Sequence, residues 1–205
     1  MRRINHSRTR SHNRAAPRNE DGAVLVESAI IIVLLAVLAF GMSDFATVLR
    51  QSLTAGSSTR ASAHVGSALG NDRYADWEMI QAARASSAEL PGNARMIRMI
   101  VYRSTTTDGR VPSACVGAGV NFVAGVCNVY RPADFTVARA AVLANGCIPG
   151  RAGWCPTSRS VDQFIGTDYL GVWIEIRLDP AADLTPGIPS TKSVHTVMRL
   201  EPRVL

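Results

Sequence analysis

Gly22-Ala23-Val24-Leu25-Val26-Glu27-Ser28-Ala29-Ile30-Ile31-Ile32-Val33-Leu34-Leu35-Ala36-Val37-Leu38-Ala39-Phe40-Gly41-Met42-Ser43-Asp44-Phe45 is an apolar stretch of membrane length with one acidic residue near its start. About 20 apolar residues at 1.5 Å rise cross a bilayer core of roughly 30 Å. The window Ala23–Ser43 meets that requirement, with Glu27 as its only charge. Glu27 and Asp44 are 17 positions apart, about 25 Å on a helix, so they are placed to bracket the hydrocarbon.

Ahead of the span, residues 1–21 carry Arg2, Arg3, Arg8, Arg10, Arg14 and Arg18 against Glu20 and Asp21, a local balance of +4. The remaining 184 residues hold 16 basic and 14 acidic side chains. The excess basicity therefore belongs to the leader and reads as a topology signal, with the N-terminus cytoplasmic and the rest exported. No basic stripe interleaved with aromatics follows, so no nucleic-acid partner is expected. The apolar run exceeds the 7–15 residues of a secretory signal and no A-x-A site directly follows it, so the span is read as retained.

The leader is polar, Arg-rich and poor in apolar residues, and cannot bury enough surface to fold. Beyond Phe45 the helix is expected to continue through Thr47–Leu53 into the small-residue stretch Thr54–Gly70. There Gly56, Gly66 and Gly70 each weaken it by roughly 1 kcal/mol relative to alanine. Gly70-Asn71 reads as a stop and Asp72 as the N-cap of a second helix over 73–89, with Trp77, Ile80, Ala83, Ser87 and Leu90 as its packing stripe. Strands are expected at Met96–Arg103, Tyr169–Leu178 and Ser193–Leu200. The middle one sets Val172, Ile174, Ile176 and Leu178 against Trp173, Glu175 and Arg177, which suggests a sheet packed on one side. Between them lies a Gly/Pro-interrupted insertion in which Asp134–Asn145 looks helical, with Gly146 as its stop.

The resulting organisation is a basic leader (1–22), a transmembrane helix (23–45), a helical stalk outside the cytoplasm (46–92) and an exported α+β domain (93–205). The fold class is α+β: a long N-terminal membrane helix followed by a domain with a small antiparallel sheet. The expected location is the cell membrane, as a single-pass chain.

All four cysteines, Cys115, Cys127, Cys147 and Cys155, fall in the exported part, where disulfides are the default. Three connectivities are possible. The favoured one pairs Cys115 with Cys127 and Cys147 with Cys155, each closing a short Gly-containing loop for roughly 2–3 kcal/mol. A zinc site is the rival reading, but the spacings lack the C-x2-4-C knuckle.

A catalytic inventory yields little. His6, His12, His64 and His195 are scattered, and no H-E-x-x-H, G-x-S-x-G, Walker or dinucleotide pattern is present. Neither an enzyme nor a cofactor is expected. His195 falls in a strand, where an exposed or structural role is the plain reading.

The order of features carries a resemblance. A charged leader ends in Gly22, a glutamate follows five residues on, Gly41-x-x-Asp44-Phe45 closes the span, and a small-residue stretch containing Arg60 comes next. With the ending Val197-Met-Arg199-Leu-Glu201-Pro202, this resembles the TadE-like family, minor pilin-like components of the tight-adherence (Flp, type IVb) pilus machinery. The resemblance covers residues 20–65 and the tail. It implies cleavage between Gly22 and Ala23 by a membrane prepilin peptidase, which leaves Glu27 fifth in the mature chain. It also implies a pilin-like fold, with other pilin-like subunits and the pilus assembly machinery as partners, alongside the lipid bilayer. Two positions depart from the family pattern: Ser28 stands where an aromatic is usual, and Asp21 where a basic residue is.

A carboxylate inside a bilayer costs about 2.5–3.5 kcal/mol on insertion scales. Either Glu27 finds a partner, such as the α-amine of a cleaved Ala23, and so rewards docking between helices, or it snorkels to the headgroups. Gly41 offers a close-packing point, and Asp44 and Arg50 read as interfacial anchors. Arg60 either pairs with a partner helix or is solvated. Two further functions compete with a pilus component: a membrane-tethered binding module outside any filament, and an exported enzyme.

Overall fold

The computed structural model describes residues 20–90, 92–105, 109–164, 166–179 and 190–202. Most of the basic leader lies outside these. The chain divides into two compact units, 1–41 and 42–205.

Helix α1 runs over Glu20–Leu69. In the first unit its side chains face outward along the whole apolar run, from Val24 to Phe40. It is the one helix among the described residues long and apolar enough to cross a membrane, and its most apolar window buries nothing. Several hydroxyls on α1 are absorbed within the helix. Ser28 donates to the Val24 carbonyl at 2.7 Å, Thr47 to Ser43 at 2.9 Å and Thr59 to Ala55 at 2.7 Å. This i−4 bonding lets small polar residues occupy a helix without orphaned donors.

In the second unit α1 is two-faced. Asp44, Gln51, Ala55, Ser58, Thr59, Ser62, Ala63, Gly66 and Ser67 are buried, at spacings of three, four and seven. Their small side chains bring the helix axis close to the domain. A Cβ built on Gly66 would lie 2.5 Å from Met79 Sδ and 2.6 Å from Leu170 Cδ2. Gly70 ends the helix with φ +58°, its N–H bonded to the Gly66 carbonyl at 2.9 Å. Only a residue without Cβ adopts this conformation without strain.

Helix α2 spans Ala75–Ser87, with Tyr74 rather than Asp72 at its N-cap position. Asp72 acts one step earlier, its Oδ1 accepting the Tyr74 N–H at 2.8 Å. The buried stripe is Ala75, Asp76, Met79, Ile80 and Ala83, shifted from the expected one so that Met79 takes the central place.

The main sheet contains β1 (Arg95–Arg103), β2 (Phe122–Val123), β3 (Cys127–Tyr130), β6 (Tyr169–Arg177) and β7 (Thr191–Arg199), in the order β2-β3-β1-β6-β7. All neighbours are antiparallel, with Val101 opposite Val172 and Trp173 opposite both Ile100 and His195. A separate hairpin pairs β4 (Val161–Asp162) with β5 (Gly166–Thr167). The α+β class with a long apolar N-terminal helix and a small antiparallel sheet is thus present.

The sheet is covered on both faces, which corrects the expectation of one-sided packing. Met99, Val101, Leu170, Val172, Ile174 and Ile176 share a core with Ala55, Ala63, Met79, Ile80 and Ala83 of the helices. On the other face Ile100, Tyr102, Val129 and Trp173 pack with Cys115 and Cys127. The second cover is too short for periodicity to reveal it. It consists of α3 (Ser113–Val116) and the loop that the first disulfide closes.

The helix expected over 134–145 does not form. Two 3-10 turns, Asp134–Thr136 and Arg139–Ala141, replace it. Carbonyls of this segment are instead taken by side chains of α2 and its N-terminal approach. Arg84 donates to the Phe135 carbonyl (2.8 Å), Trp77 Nε1 to Val137 (2.9 Å) and Arg73 to Val142 and Leu143 (2.5 and 3.0 Å).

Candidate functional site

The residues that the sequence singles out fall into three places. The first is the start of α1. Gly22, Ala23 and Glu27 lie in its opening turns, all exposed. Glu27 is accompanied on the surface by Val24, Leu25, Val26, Ile30 and Ile31, so its carboxylate stands in an apolar field. Gly41 closes this unit, and a Cβ built there meets nothing within 4 Å.

The second place is the part of α1 that belongs to the larger unit. Asp44 is fully buried there, which a water-facing interfacial anchor would not be. Arg50, Arg60 and His64 are exposed. On the same outward face lie Met42, Phe45, Leu49 and Leu53, all large, apolar and exposed. Between Met42 and Leu53 the buried face therefore carries Asp44 and Gln51, while the outward face carries Met42, Phe45, Leu49 and Leu53 beside Arg50.

The third place is the cysteine-containing insertion. Cys115 pairs with Cys127 (Cα–Cα 6.4 Å) and Cys147 with Cys155 (Cα–Cα 4.9 Å). No cysteine is free. Among the described residues no group of three His, Cys, Asp or Glu side chains is placed to hold a metal ion. His195 sits exposed on β7.

The structure also assembles a buried polar cluster that the sequence does not announce. Asp76 of α2 accepts from Tyr130 Oη (2.5 Å) and Asn128 Nδ2 (3.2 Å) through Oδ2, and pairs with Arg159 through Oδ1. Asn128 clamps the second disulfide loop, accepting from Gly153 N (2.8 Å) and Trp154 N (3.2 Å) and donating to the Trp154 carbonyl (3.0 Å). The Arg159 guanidinium lies over the Trp154 ring, 4.6 Å from its centroid. Its Nε and Nη1 have no hydrogen-bond partner, and the ring face is what they meet instead. Burial, reinforced by the Asp76 carboxylate, raises the Tyr130 phenol well above its ordinary pKa. The cluster ties α2, β3 and the insertion together with no opening to solvent, and its chemistry is structural.

At the other end of the domain the tail is pinned to α1. Ser67 Oγ donates to the Arg199 carbonyl at 2.6 Å, and the Glu201 N–H donates to the Ser67 carbonyl at 3.0 Å. Leu200 between them is buried.

The site of interest is therefore an exposed apolar helix surface bearing one carboxylate, followed by a disulfide-braced domain. No family model matches this chain, and neither a curated protein nor a solved structure matches it.

Proposed function

We propose that this protein is a membrane-anchored, non-enzymatic minor pilin or pseudopilin-like component that takes part in assembling a tight-adherence (Flp, type IVb) pilus or a related secretion apparatus. One observation carries the reading. Large apolar side chains stay exposed beyond the residues that a membrane span needs. About 20 residues suffice for the hydrocarbon, and a span beginning at Ala23 is used up near Met42. Phe45, Leu49 and Leu53 nevertheless remain large, apolar and exposed. A helix that only anchored a tether has no need of them, whereas one that leaves lipid to dock beside other helices does.

Glu27 fits the same scheme. Released from the leader after Gly22, the α-ammonium of Ala23 would neutralise this carboxylate in the same or a neighbouring subunit, so that docking removes a charge otherwise costly in lipid. The TadE-like order of features supports this reading, with the arginine-laden leader inside and the disulfide-bearing domain outside the cytoplasm.

The test is the mature N-terminus of the native protein by mass spectrometry, combined with Glu27→Ala. A chain beginning at Ala23, and a Glu27→Ala variant that inserts in the membrane but no longer co-purifies with the assembled apparatus, are expected. An intact Met1 and no co-purification of the parent chain with an assembled apparatus would reduce the chain to a tethered binding module, whereas normal assembly of the variant would make Glu27 only a boundary residue.

A further inference from the structure

The two edges of the main sheet are unequal. One is β2, two residues long, and the other is β7, nine residues long. Short edge strands, bulges and prolines are the usual ways of blunting a sheet against further pairing. The β2 edge is blunted by its length. β7 has none of these devices: its register with β6 runs from Thr191 to Arg199 without a shift, and its sequence holds no proline.

The ladder fixes which way the β7 backbone groups point. The Leu178 N–H donates to the Ser190 carbonyl and the Leu200 N–H to the Asp168 carbonyl, both at 3.0 Å. Residues that bond to the neighbouring strand alternate with residues that do not in an antiparallel pair. Lys192, Val194, Thr196 and Met198 therefore bond to β6, while Thr191, Ser193, His195 and Val197 turn their N–H and carbonyl groups away from it. Arg199 belongs to the outward set, and its carbonyl accepts from Ser67 Oγ of α1 at 2.6 Å, which closes the edge at that end. Among the described residues no hydrogen bond reaches the outward backbone groups of Thr191, Ser193, His195 or Val197. A row of donors and acceptors at a two-residue repeat matches one chemistry, the backbone of another extended strand.

The side chains along this edge select the kind of strand. Lys192, His195 and Arg199 are exposed and β7 holds no acidic residue, while exposed Arg177 of β6 stands opposite Thr191. The one carboxylate on β6, Glu175 opposite Ser193, is already held by Arg98 at 3.0 Å. A second β7 laid along the edge would set basic side chains against basic ones, which is unfavourable between neighbouring strands. Lysine on an edge strand is itself a guard against self-pairing. A strand bearing glutamate or aspartate gains ladder hydrogen bonds and charge pairing together. We propose that the outer edge of β7 takes up an extended acidic segment of a partner protein as a further strand of the sheet. The paired stretch, 191–197, is about 23 Å long. This surface lies wholly within the unit 42–205 and uses neither Gly22 nor Glu27.

The experiment titrates the full-length chain in detergent with a fluorescein-labelled peptide of threonine, valine and glutamate, about seven residues long, and with the same peptide carrying lysine for glutamate. Fluorescence anisotropy should show the acidic peptide binding at least about tenfold tighter, with the difference shrinking as salt rises. Amide exchange followed by NMR should slow at Thr191, Ser193, His195 and Val197, which exchange fast in the free chain. His195→Pro removes only an outward N–H, a position where an edge strand tolerates proline, and should abolish binding. Lys192→Glu, at an exposed side chain, should weaken the acidic peptide by about tenfold without a change in thermal unfolding. Equal binding of both peptides, no binding of the acidic one, slow exchange of the four amides in the free chain, or self-association through β7 overturns the proposal. None of these readouts depends on leader cleavage or on Glu27, so failure here leaves the pilin-like reading standing.

Discussion

Arg159 and Asp76, 83 residues apart in sequence, form an ion pair in which neither side chain touches solvent. The pair alone is weak evidence of stability, because desolvating two charges offsets most of their attraction. Removing one partner is another matter. Arg159→Met strands a carboxylate whose other oxygen holds Tyr130 and Asn128, and should destabilise the domain by about 3–5 kcal/mol. Replacing both, as Arg159→Met with Asp76→Leu, should recover part of that loss. Urea denaturation of the full-length chain in detergent, followed by tryptophan fluorescence, closes the double-mutant cycle. Additive losses would mean that the two residues act independently.

The same cluster sets an alkaline limit. Tyr130 keeps its proton in the folded state well above its ordinary pKa, whereas the unfolded chain releases it near pH 10. The folded state therefore binds more protons above pH 10. Stability from this group is fully present below pH 10 and declines as pH rises from there through the folded pKa. Absorbance at 295 nm should show one phenol that ionises only as the domain unfolds. Tyr130→Phe should remove that component and flatten the alkaline loss.

The two disulfides should differ in worth. Loop-closure entropy alone assigns each about 2–3 kcal/mol. The Cys147–Cys155 loop also holds Gly153 and Trp154 against Asn128, and Cys147 Sγ lies 3.7 Å from Asn128 Nδ2. Cys147→Ser with Cys155→Ser should cost more than the loop term and should raise the alkaline sensitivity described above. Cys115→Ser with Cys127→Ser should loosen the cover over Trp173 and leave Tyr130 unaffected. Paired denaturation curves and near-UV circular dichroism separate the two outcomes.

Much of the fold is legible where one element is long and periodic. Helix α1 follows from its apolar run and the small residues after it, β6 and β7 from their branched alternation, and the cysteine pairing from two short loops. Legibility ends where side chains from elsewhere in the chain decide. Residues 134–145 have helical composition, yet Arg73, Trp77 and Arg84 claim the carbonyls. Trp173 looked outward and is buried, because a four-residue helix and a disulfide loop cover it. Asp76, Asn128, Tyr130 and Arg159 carry no spacing signal, since they meet only through three separate elements. Asp44 sits next to exposed Phe45 and is nevertheless buried, a distinction that follows from helix phase relative to a domain whose position the local sequence does not encode.

Glycines on α1 show how far a sequence rule must yield to packing. Propensity treats Gly56, Gly66 and Gly70 alike, and predicts that alanine at each stabilises the helix by roughly 1 kcal/mol. Only Gly56 has open space at its Cβ position, so Gly56→Ala should raise stability by about 0.5–1 kcal/mol. At Gly66 the added methyl would overlap Met79 and Leu170, both buried and both part of the shared core. Overpacking of this kind costs about 1–3 kcal/mol, which exceeds the helical gain and reverses the sign. At Gly70 the positive φ and the nearby Val161 act together, so alanine there should also destabilise and should loosen the hairpin root. Thermal melts of the three single variants, ranked Gly56→Ala above the parent and the other two below it, test the proximity of α1 to the sheet directly. Equal gains at all three positions would place the helix farther from Met79, Leu170 and Val161 than the contacts require.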